Sequence, residues 1–407
     1  MEGISTIYNN NVTDIMRFIQ QSLHIYPEGI FDPPELDLVS GSDIILVDTR
    51  DTIMRRVVYT TKNISEHIPY QMYGIIKHNR RVVDNLFYEY LAGVCCLNRL
   101  TSKFPIFIYT NGIYLTDREF VKKLRINAEI SGDDIISHLT PMDITSYKDA
   151  CINYKKLCLG VQYCPNMTLL SNVDSIPNYK LELGIILFQI YFTLSQCRHI
   201  FTHYDLHDDN VGVIHLPKNT CIKYIYEFID YNDIPRRVTF TSRYIVKIFD
   251  YGRSYFSGMG PNGTYITSDI ILQQVHMILN CIPTEKYGFD LRFQKYFINS
   301  SIVNNSHDLR LLYMLSPILY TIPELADIPL HIKYDTPFGT RQMPPSNSSI
   351  IQTVMDASTV LLDSITSVNP QARISLVDAS KKQYELDRCI GTIHVRGLNT
   401  DMTFIPN

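Results

Sequence analysis

The 407-residue chain contains no tryptophan, and only 19% of its residues are charged. Its 37 basic and 41 acidic side chains nearly balance, so no strong positive field marks a nucleic-acid-binding or membrane-surface protein. The longest apolar run, Leu183 to Leu194, is shorter than the roughly 20 residues that cross a bilayer. With 45% hydrophobic residues, the chain is expected to fold around a sizeable core, without a membrane span or a nucleic-acid partner.

The cysteines do not indicate a disulfide-bonded or zinc-bound fold. There are nine of them, an odd number, and no C-x-x-C pair occurs, which disfavours a disulfide scaffold and a zinc ribbon. The first residues carry no charged segment followed by an apolar one, so no signal peptide is predicted. These patterns indicate reduced core cysteines and a cytoplasmic protein.

Strand-like patterns dominate the chain up to about residue 165, and helical patterns, led by the apolar stretch 179–199, dominate after it. Strands and helices segregated in this way predict an α+β fold with two lobes. We predict an N-terminal extension with a short helix and strands over 1–60 and a sheet-rich lobe over 61–165. A mainly helical lobe, with a C-terminal extension, is predicted over 166–407.

Two polar motifs carry the chemistry. Residues 203–210 read H-Y-D-L-H-D-D-N directly after the apolar helix, and a strand farther on runs into Asp250-Tyr251-Gly252. On a tight loop, Asp205 and Asn210 can face one site, and Asp250 can join them from the end of the strand. Phosphoryl transfer needs such a set: one carboxylate accepts the hydroxyl proton, and other oxygens hold magnesium.

The first motif is similar to the catalytic loop H-R-D-L-x-x-x-N of the protein-kinase-like superfamily, and the second is similar to its D-F-G. Y-G-R-S-Y-F after Asp250 and N-N-S-H-D-L-R-L-L at 304–312 resemble the serine/threonine-protein kinases of giant (nucleocytoplasmic large DNA) viruses. The resemblance covers roughly residues 70–320. It implies a bilobal kinase-like fold that transfers the γ-phosphoryl group of ATP, with Mg²⁺, to a serine or threonine hydroxyl of a protein. The location would be the host cytoplasm or the virion.

The resemblance also implies roles for individual residues. Asp205 would take the hydroxyl proton, Asn210 and Asp250 would hold Mg²⁺, and all three follow the motif positions. Lys77, in the strand-like G-I-I-K, would contact the nucleotide phosphates, braced by Glu89 on the next helix. A further catalytic position, where protein kinases carry lysine near the transferred phosphate, is held by His207. A hinge that offers groups to adenine is implied at Gln162, Tyr163 and Cys164. Structural support is implied for His203, Gly252, which would allow a sharp turn, and Asp308, which would tie down the catalytic loop.

The chain departs from the family pattern in several places. No G-x-G-x-x-G precedes Lys77, and Ser40-Gly41-Ser42 is the nearest candidate for a phosphate-cradling loop. Tyr204 replaces the family arginine, so control by a phosphorylated activation segment is not expected. Between Asn210 and Asp250 lie 39 residues with strand-like alternation, which predicts an inserted β-hairpin.

Three other readings are open. Without a glycine loop, the chain could be a pseudokinase, a binding module without turnover. His207 in place of lysine would suit a small-molecule kinase that resembles aminoglycoside phosphotransferases. The H-x-D at 203–205 with a distant histidine could form an iron site, but that reading leaves Asn210, Asp250 and Lys77 unexplained. The identity of a protein substrate and the oligomeric state are not indicated.

Overall fold

The computed structural model describes most of the chain. The described residues are 12–25, 36–48, 52–61, 71–79, 86–117, 137–142, 156–230, 233–260, 263–271, 288–290, 295–297, 302–336, 339–342 and 351–407. Side chains are described for most of these residues, with the exception of 12, 36, 41–48, 52, 53, 61, 79, 288–290, 295–297, 334–336 and 339–342.

The described helices are mostly short. They are α1 (Val12–Leu23), α2 (Leu86–Ala92), α3 (Tyr179–Gln196), α4 (Arg310–Met314), α5 (Ser316–Leu319), α6 (Val354–Thr366) and α7 (Leu376–Gln383). Helix α2 continues through a π-helical turn, Gly93–Leu97, into a last turn, Asn98–Thr101.

Strands are more numerous than helices. They are β1 (Leu36–Asp48), β2 (Thr52–Thr61), β3 (Gln71–Asn79), β4 (Thr110–Thr116), β5 (Leu139–Pro141), β6 (Leu157–Gln162), β7 (Met167–Leu169), β8 (Phe201–Thr202), β9 (Val211–His215), β10 (Thr220–Ile229), β11 (Pro235–Ser242), β12 (Tyr244–Ile248), β13 (Tyr255–Met259), β14 (Tyr265–Thr267), β15 (Gly288–Asp290), β16 (Lys295–Phe297), β17 (Lys333–Thr336), β18 (Gly339–Gln342), β19 (Arg388–Val395) and β20 (Thr403–Pro406).

The first part of the chain forms one six-stranded sheet in the order β1-β2-β3-β6-β4-β5, with antiparallel neighbours. We predicted β1 and β2 to belong to an N-terminal extension; in the structure β1 pairs with β2, and β2 pairs with β3, in this sheet. One face of the sheet carries a small core that includes Val57, Tyr59 and Ile76. Because neighbouring side chains in a strand point to opposite faces, Lys77 faces the other side.

Helix α3 is the centre of the main core. Its residues from Glu182 to Ser195 are all buried, as expected for a helix that is apolar on every side. The same core includes the apolar side chains of α1, such as Phe18 and Ile19, and those of α2, such as Phe87. Helix α1 is therefore packed into the body of the protein.

For the part after residue 166 we predicted mainly helix, and the structure places β7 to β20 there together with α3 to α7. Strands β10 and β11 form an antiparallel pair between the two polar motifs. They continue into β19 and β20 in a four-stranded sheet, with β10 and β19 parallel. The apolar face of β10, with Tyr224 and Tyr226, packs into the main core. The C-terminal strands thus complete a sheet that the pair β10–β11 begins.

Among the described residues, no helix is both long and apolar enough to cross a membrane. The seven cysteines that the structure describes are free thiols, and six of them are buried.

Candidate active site

Strand β3 delivers a lysine to the site. Lys77 is only 8% exposed, and its Nζ lies 2.8 Å from Glu89 Oε2 and 3.2 Å from Asp250 Oδ1. Glu89 is also buried, while the Asp250 side chain is 45% exposed. The Lys77 ammonium holds the pKa of the Asp250 carboxyl below its usual value. The structure therefore brings together three residues from β3, α2 and the loop after β12.

Helix α2 carries Glu89 on a strongly buried segment. Its neighbour Tyr88 is 2% exposed and donates a hydrogen bond from its hydroxyl to the carbonyl oxygen of Ser254, at 2.7 Å. This contact fastens α2 to the segment just after Asp250. The position of Glu89 relative to Asp250 is thus supported by packing and by a hydrogen bond, as well as by Lys77.

The carboxylate of Asp308 holds the backbone of the loop that carries the first motif. Asp308 accepts hydrogen bonds from the backbone N–H of His203 at 2.7 Å and of Tyr204 at 2.9 Å. Burial raises the pKa of the Asp308 carboxyl to about 7, although the two N–H donors act in the opposite direction. The Tyr191 hydroxyl of α3 donates to the Asp308 carbonyl oxygen at 2.8 Å, so the buried helix anchors this support.

His203 connects the loop to the second motif. Its Nε2 lies 2.9 Å from the carbonyl oxygen of Phe249, which can only accept, so Nε2 carries the proton. Its Nδ1 then accepts from the backbone N–H of Asp205 at 3.3 Å. Burial lowers the pKa of His203 to about 4, which keeps the ring neutral in this arrangement. The ring is placed as a bridge between the two motifs.

Strand pairing brings Asn210 next to Asp250. Strands β9 and β12 are antiparallel, with Val211 opposite Ile248, and the Phe249 N–H donates to the Asn210 carbonyl oxygen at 3.2 Å. The Asn210 side-chain amide donates to the Asp205 carbonyl oxygen at 2.9 Å. Both motifs therefore meet where these two strands end.

The turn at the second motif differs from our expectation. The left-handed conformation falls on Asp250, with φ 68°, and not on Gly252. A non-glycine residue held there costs about 1–3 kcal/mol, and such residues cluster at functional sites. The left-handed residue of this turn is thus Asp250, and the supporting role of Gly252 stays a prediction.

The Asp205 carboxylate lies between basic groups. Arg310 donates from Nη1 to Asp205 Oδ1 at 3.0 Å, and Arg253 Nε lies 3.7 Å from Oδ2. His207 Nε2 is 4.0 Å from Oδ1, and its Nδ1 accepts from the Asp209 N–H at 3.2 Å. Asp205 is itself only 6% exposed, so these groups balance a largely buried charge.

The expected hinge is occupied by α1. Gln162 donates to the carbonyl oxygens of Gln21 and Ser22, which lie at the end of α1 and lack partners within the helix. Gln21 in turn donates to the Tyr163 carbonyl oxygen at 2.9 Å. Cys164 is buried, and burial raises the pKa of its thiol to about 11. Gln162 and Tyr163 are thus placed against the end of α1, and their contact with adenine stays a prediction.

Two arginines and one glutamine at or beside the site were not predicted. Arg310 stands in an apolar helical stretch, L-R-L-L, and a lone charge there is a signal that it meets a buried partner. Arg253 and Gln21 carry no comparable signal. Ser40-Gly41-Ser42 lies inside β1 rather than in a loop, and residues 49–51 between β1 and β2 are outside the described residues.

The donor set suits a hard cation. The Asn210 amide donates its N–H to a backbone carbonyl, which leaves its side-chain oxygen as an acceptor, and Asp250 supplies a half-exposed carboxylate just after the paired strand β12. Magnesium prefers such oxygen ligands together with phosphate oxygens. The residues present therefore fit a Mg²⁺–nucleotide complex.

Comparisons with known proteins give no family. No family model matches the chain, and no curated protein matches it. Among solved structures, the chain is similar to the Rio2 kinase–ADP/Mg²⁺–phosphoaspartate complex from Chaetomium thermophilum at 10% sequence identity. The match covers 86% of this chain and 72% of that one with a TM-score of 0.27, a level that carries no argument about fold or function.

Proposed function

We propose that this protein is an ATP- and Mg²⁺-dependent phosphotransferase of kinase-like fold that acts on serine or threonine hydroxyls of proteins. One observation carries the proposal: Lys77, Glu89 and Asp250 form a single cluster of charges, although Lys77 and Asp250 are 173 residues apart. The motif-bearing loop with Asp205 and Asn210 is bound to the same strand end. Separate short motifs would not converge in this way by local structure alone.

In this proposal each residue acts through its own chemistry. The Lys77 ammonium, held by Glu89, neutralises phosphate charge, and Asp205 accepts the proton of the attacking hydroxyl. Asn210 and Asp250 hold Mg²⁺, which when bound neutralises the nucleotide phosphates. His203 keeps the two motifs in register without transferring a proton, because backbone groups of Phe249 and Asp205 bind both of its ring nitrogens.

The test is transfer of radiolabelled phosphate from ATP with Mg²⁺ to a mixture of protein acceptors and to the chain itself. Asp205→Asn and Asp250→Asn should each reduce transfer by about 10²-fold or more. Asp327→Asn, at an exposed position, is the matched control and should leave transfer unchanged. Wild-type transfer no higher than that of the two site variants would refute the proposed phosphotransferase activity. Transfer only to hydroxylated small molecules would refute the protein substrate alone.

A second function, a nucleotide-binding module without turnover, is favoured by the two arginines that lie against the Asp205 carboxylate. It predicts that ATP with Mg²⁺ raises the melting temperature while no phosphate is transferred. Ligand at 100 times its Kd stabilises a fold by about 2.7 kcal/mol, which a thermal-shift assay resolves. Lys77→Met should abolish that shift, and a shift that persists in this variant would contradict binding at the site.

A further inference from the structure

Arg310 is an unusual residue for its position. It opens α4, a short helix whose next residues, Leu311 and Leu312, lie in the core, and it is itself only 5% exposed. A guanidinium does not lose its proton, so burial obliges it to meet an acceptor. The structure supplies one in Asp205, whose Oδ1 lies 3.0 Å from Arg310 Nη1.

The pair fixes one oxygen of Asp205 and leaves the other for chemistry. The Arg310 and Asp205 side chains are 6% and 8% exposed, so solvent screens their attraction little. The contact to Oδ1 restrains the carboxylate, and Oδ2 remains as the acceptor for a hydroxyl proton.

Arg253 differs from Arg310 in its distance from Asp205 and in its exposure. Its Nε is 3.7 Å from Asp205 Oδ2, beyond hydrogen-bond distance, and its side chain is 34% exposed. An incoming hydroxyl can therefore take its place beside Oδ2. Arg310 makes the shorter and more buried contact with Asp205, and Arg253 makes the longer and more exposed one.

The segment that carries Arg310 also holds the backbone of the loop. Asp308, two residues earlier, binds the N–H groups of His203 and Tyr204, and Tyr191 of α3 anchors Asp308. The backbone of the loop and the Asp205 side chain are thus both held by one buried segment, which contains Asp308 and Arg310. A misplacement of about 1 Å can cost about 10²-fold in rate, so such double support matters for catalysis.

From this geometry we infer that Arg310 is a positioning residue, which orients the Asp205 carboxylate for the hydroxyl proton. The inference rests on the proposed phosphotransferase function. A positioning role differs from a merely structural one because it changes kcat in a protein that is still folded and still binds nucleotide.

The experiment compares Arg310→Met and Arg310→Lys with the wild-type full chain. We expect kcat to fall by about 10²-fold in Arg310→Met, with KM for ATP within about threefold, because the nucleotide is held elsewhere. Arg310→Lys keeps the charge without the planar fork and should recover about tenfold of that loss. The matched control is Arg243→Lys, which alters the partly buried pair with Asp387 and should leave kcat within about twofold.

Melting temperatures of all variants are measured beside the kinetics. An unchanged kcat in folded Arg310→Met, or equal losses in Arg310→Met and Arg243→Lys, overturns the inference and leaves the proposed function intact. If Arg310→Met does not fold, Arg310→Lys decides, since a kcat reduced by about tenfold supports the role and an unchanged kcat overturns it. An inactive wild type removes the proposed function and this inference together.

Discussion

The buried pair of Lys77 and Glu89 makes the sharpest test of the site, because it needs no turnover. The perturbation is a double-mutant cycle with Lys77→Met, Glu89→Leu and the double variant. The two side chains are 10% and 7% exposed and meet at 2.8 Å. Removal of one partner leaves the other charge buried without its main counter-ion.

The magnitude follows from that burial. Each single substitution should lower the free energy of unfolding by about 3–5 kcal/mol, whereas two apolar side chains of similar volume can replace a buried pair at little cost. Lys77→Met also removes the contact of Lys77 with Asp250. The loss of that contact should cost little, because the 45% exposed Asp250 side chain keeps contact with water. The coupling energy between positions 77 and 89 should therefore be at least about 2 kcal/mol.

The assay is urea unfolding followed by circular dichroism at fixed pH and temperature. A control cycle uses Lys381→Met and Asp378→Asn, because this pair is 45% and 57% exposed and should couple by less than about 0.5 kcal/mol. Additive single effects at 77 and 89, within about 0.5 kcal/mol, would refute the buried pair.

Two further predictions concern other buried carboxyls. Asp308→Asn turns one acceptor oxygen into a donor that faces a backbone N–H, so the free energy of unfolding should fall by about 2–4 kcal/mol in urea. The exposed control Asp327→Asn should change it by less than about 0.5 kcal/mol, and equal effects of the two would contradict the contact. Burial raises the pKa of Glu182 from 4.5 to about 7, so its neutral form stabilises the fold below about pH 4.5, and this contribution is lost as the pH rises to about 7. By linkage the loss of stability is at most about 3 kcal/mol, and Glu182→Gln should reduce the dependence of stability on pH. The measurement is the urea midpoint from pH 4.5 to 8, and a variant with the wild-type slope would contradict the prediction.

Much of the candidate site could be predicted because its signals are local. The loop residues from His203 to Asn210 and the triplet at Asp250 are short motifs, and the buried helix before the first is visible as an apolar stretch. Strand β3 with Lys77 follows from its own pattern in the same way. Such features depend on neighbours within a few residues, so the chain order alone carries them.

The contacts of α1 and the strand pairing in the second part of the chain could not be predicted. The contact of Gln162 with the end of α1 joins positions about 140 residues apart, and no local pattern in either segment announces it. The pairing of β10 with β19 is likewise a long-range choice. Strands that alternate over a few residues indicate a half-buried surface but not which other strand will cover it.

The sequence by itself determined which chemical groups the protein has and the spacing of Asp205, Asn210 and Asp250 along the chain. Only the tertiary structure decided that Arg310 meets Asp205, that Lys77 meets both Glu89 and Asp250, and that Gln21 of α1 binds Tyr163. The physical reason is that a buried charge must find its partner wherever packing brings one, and packing brings together segments that are far apart in the sequence.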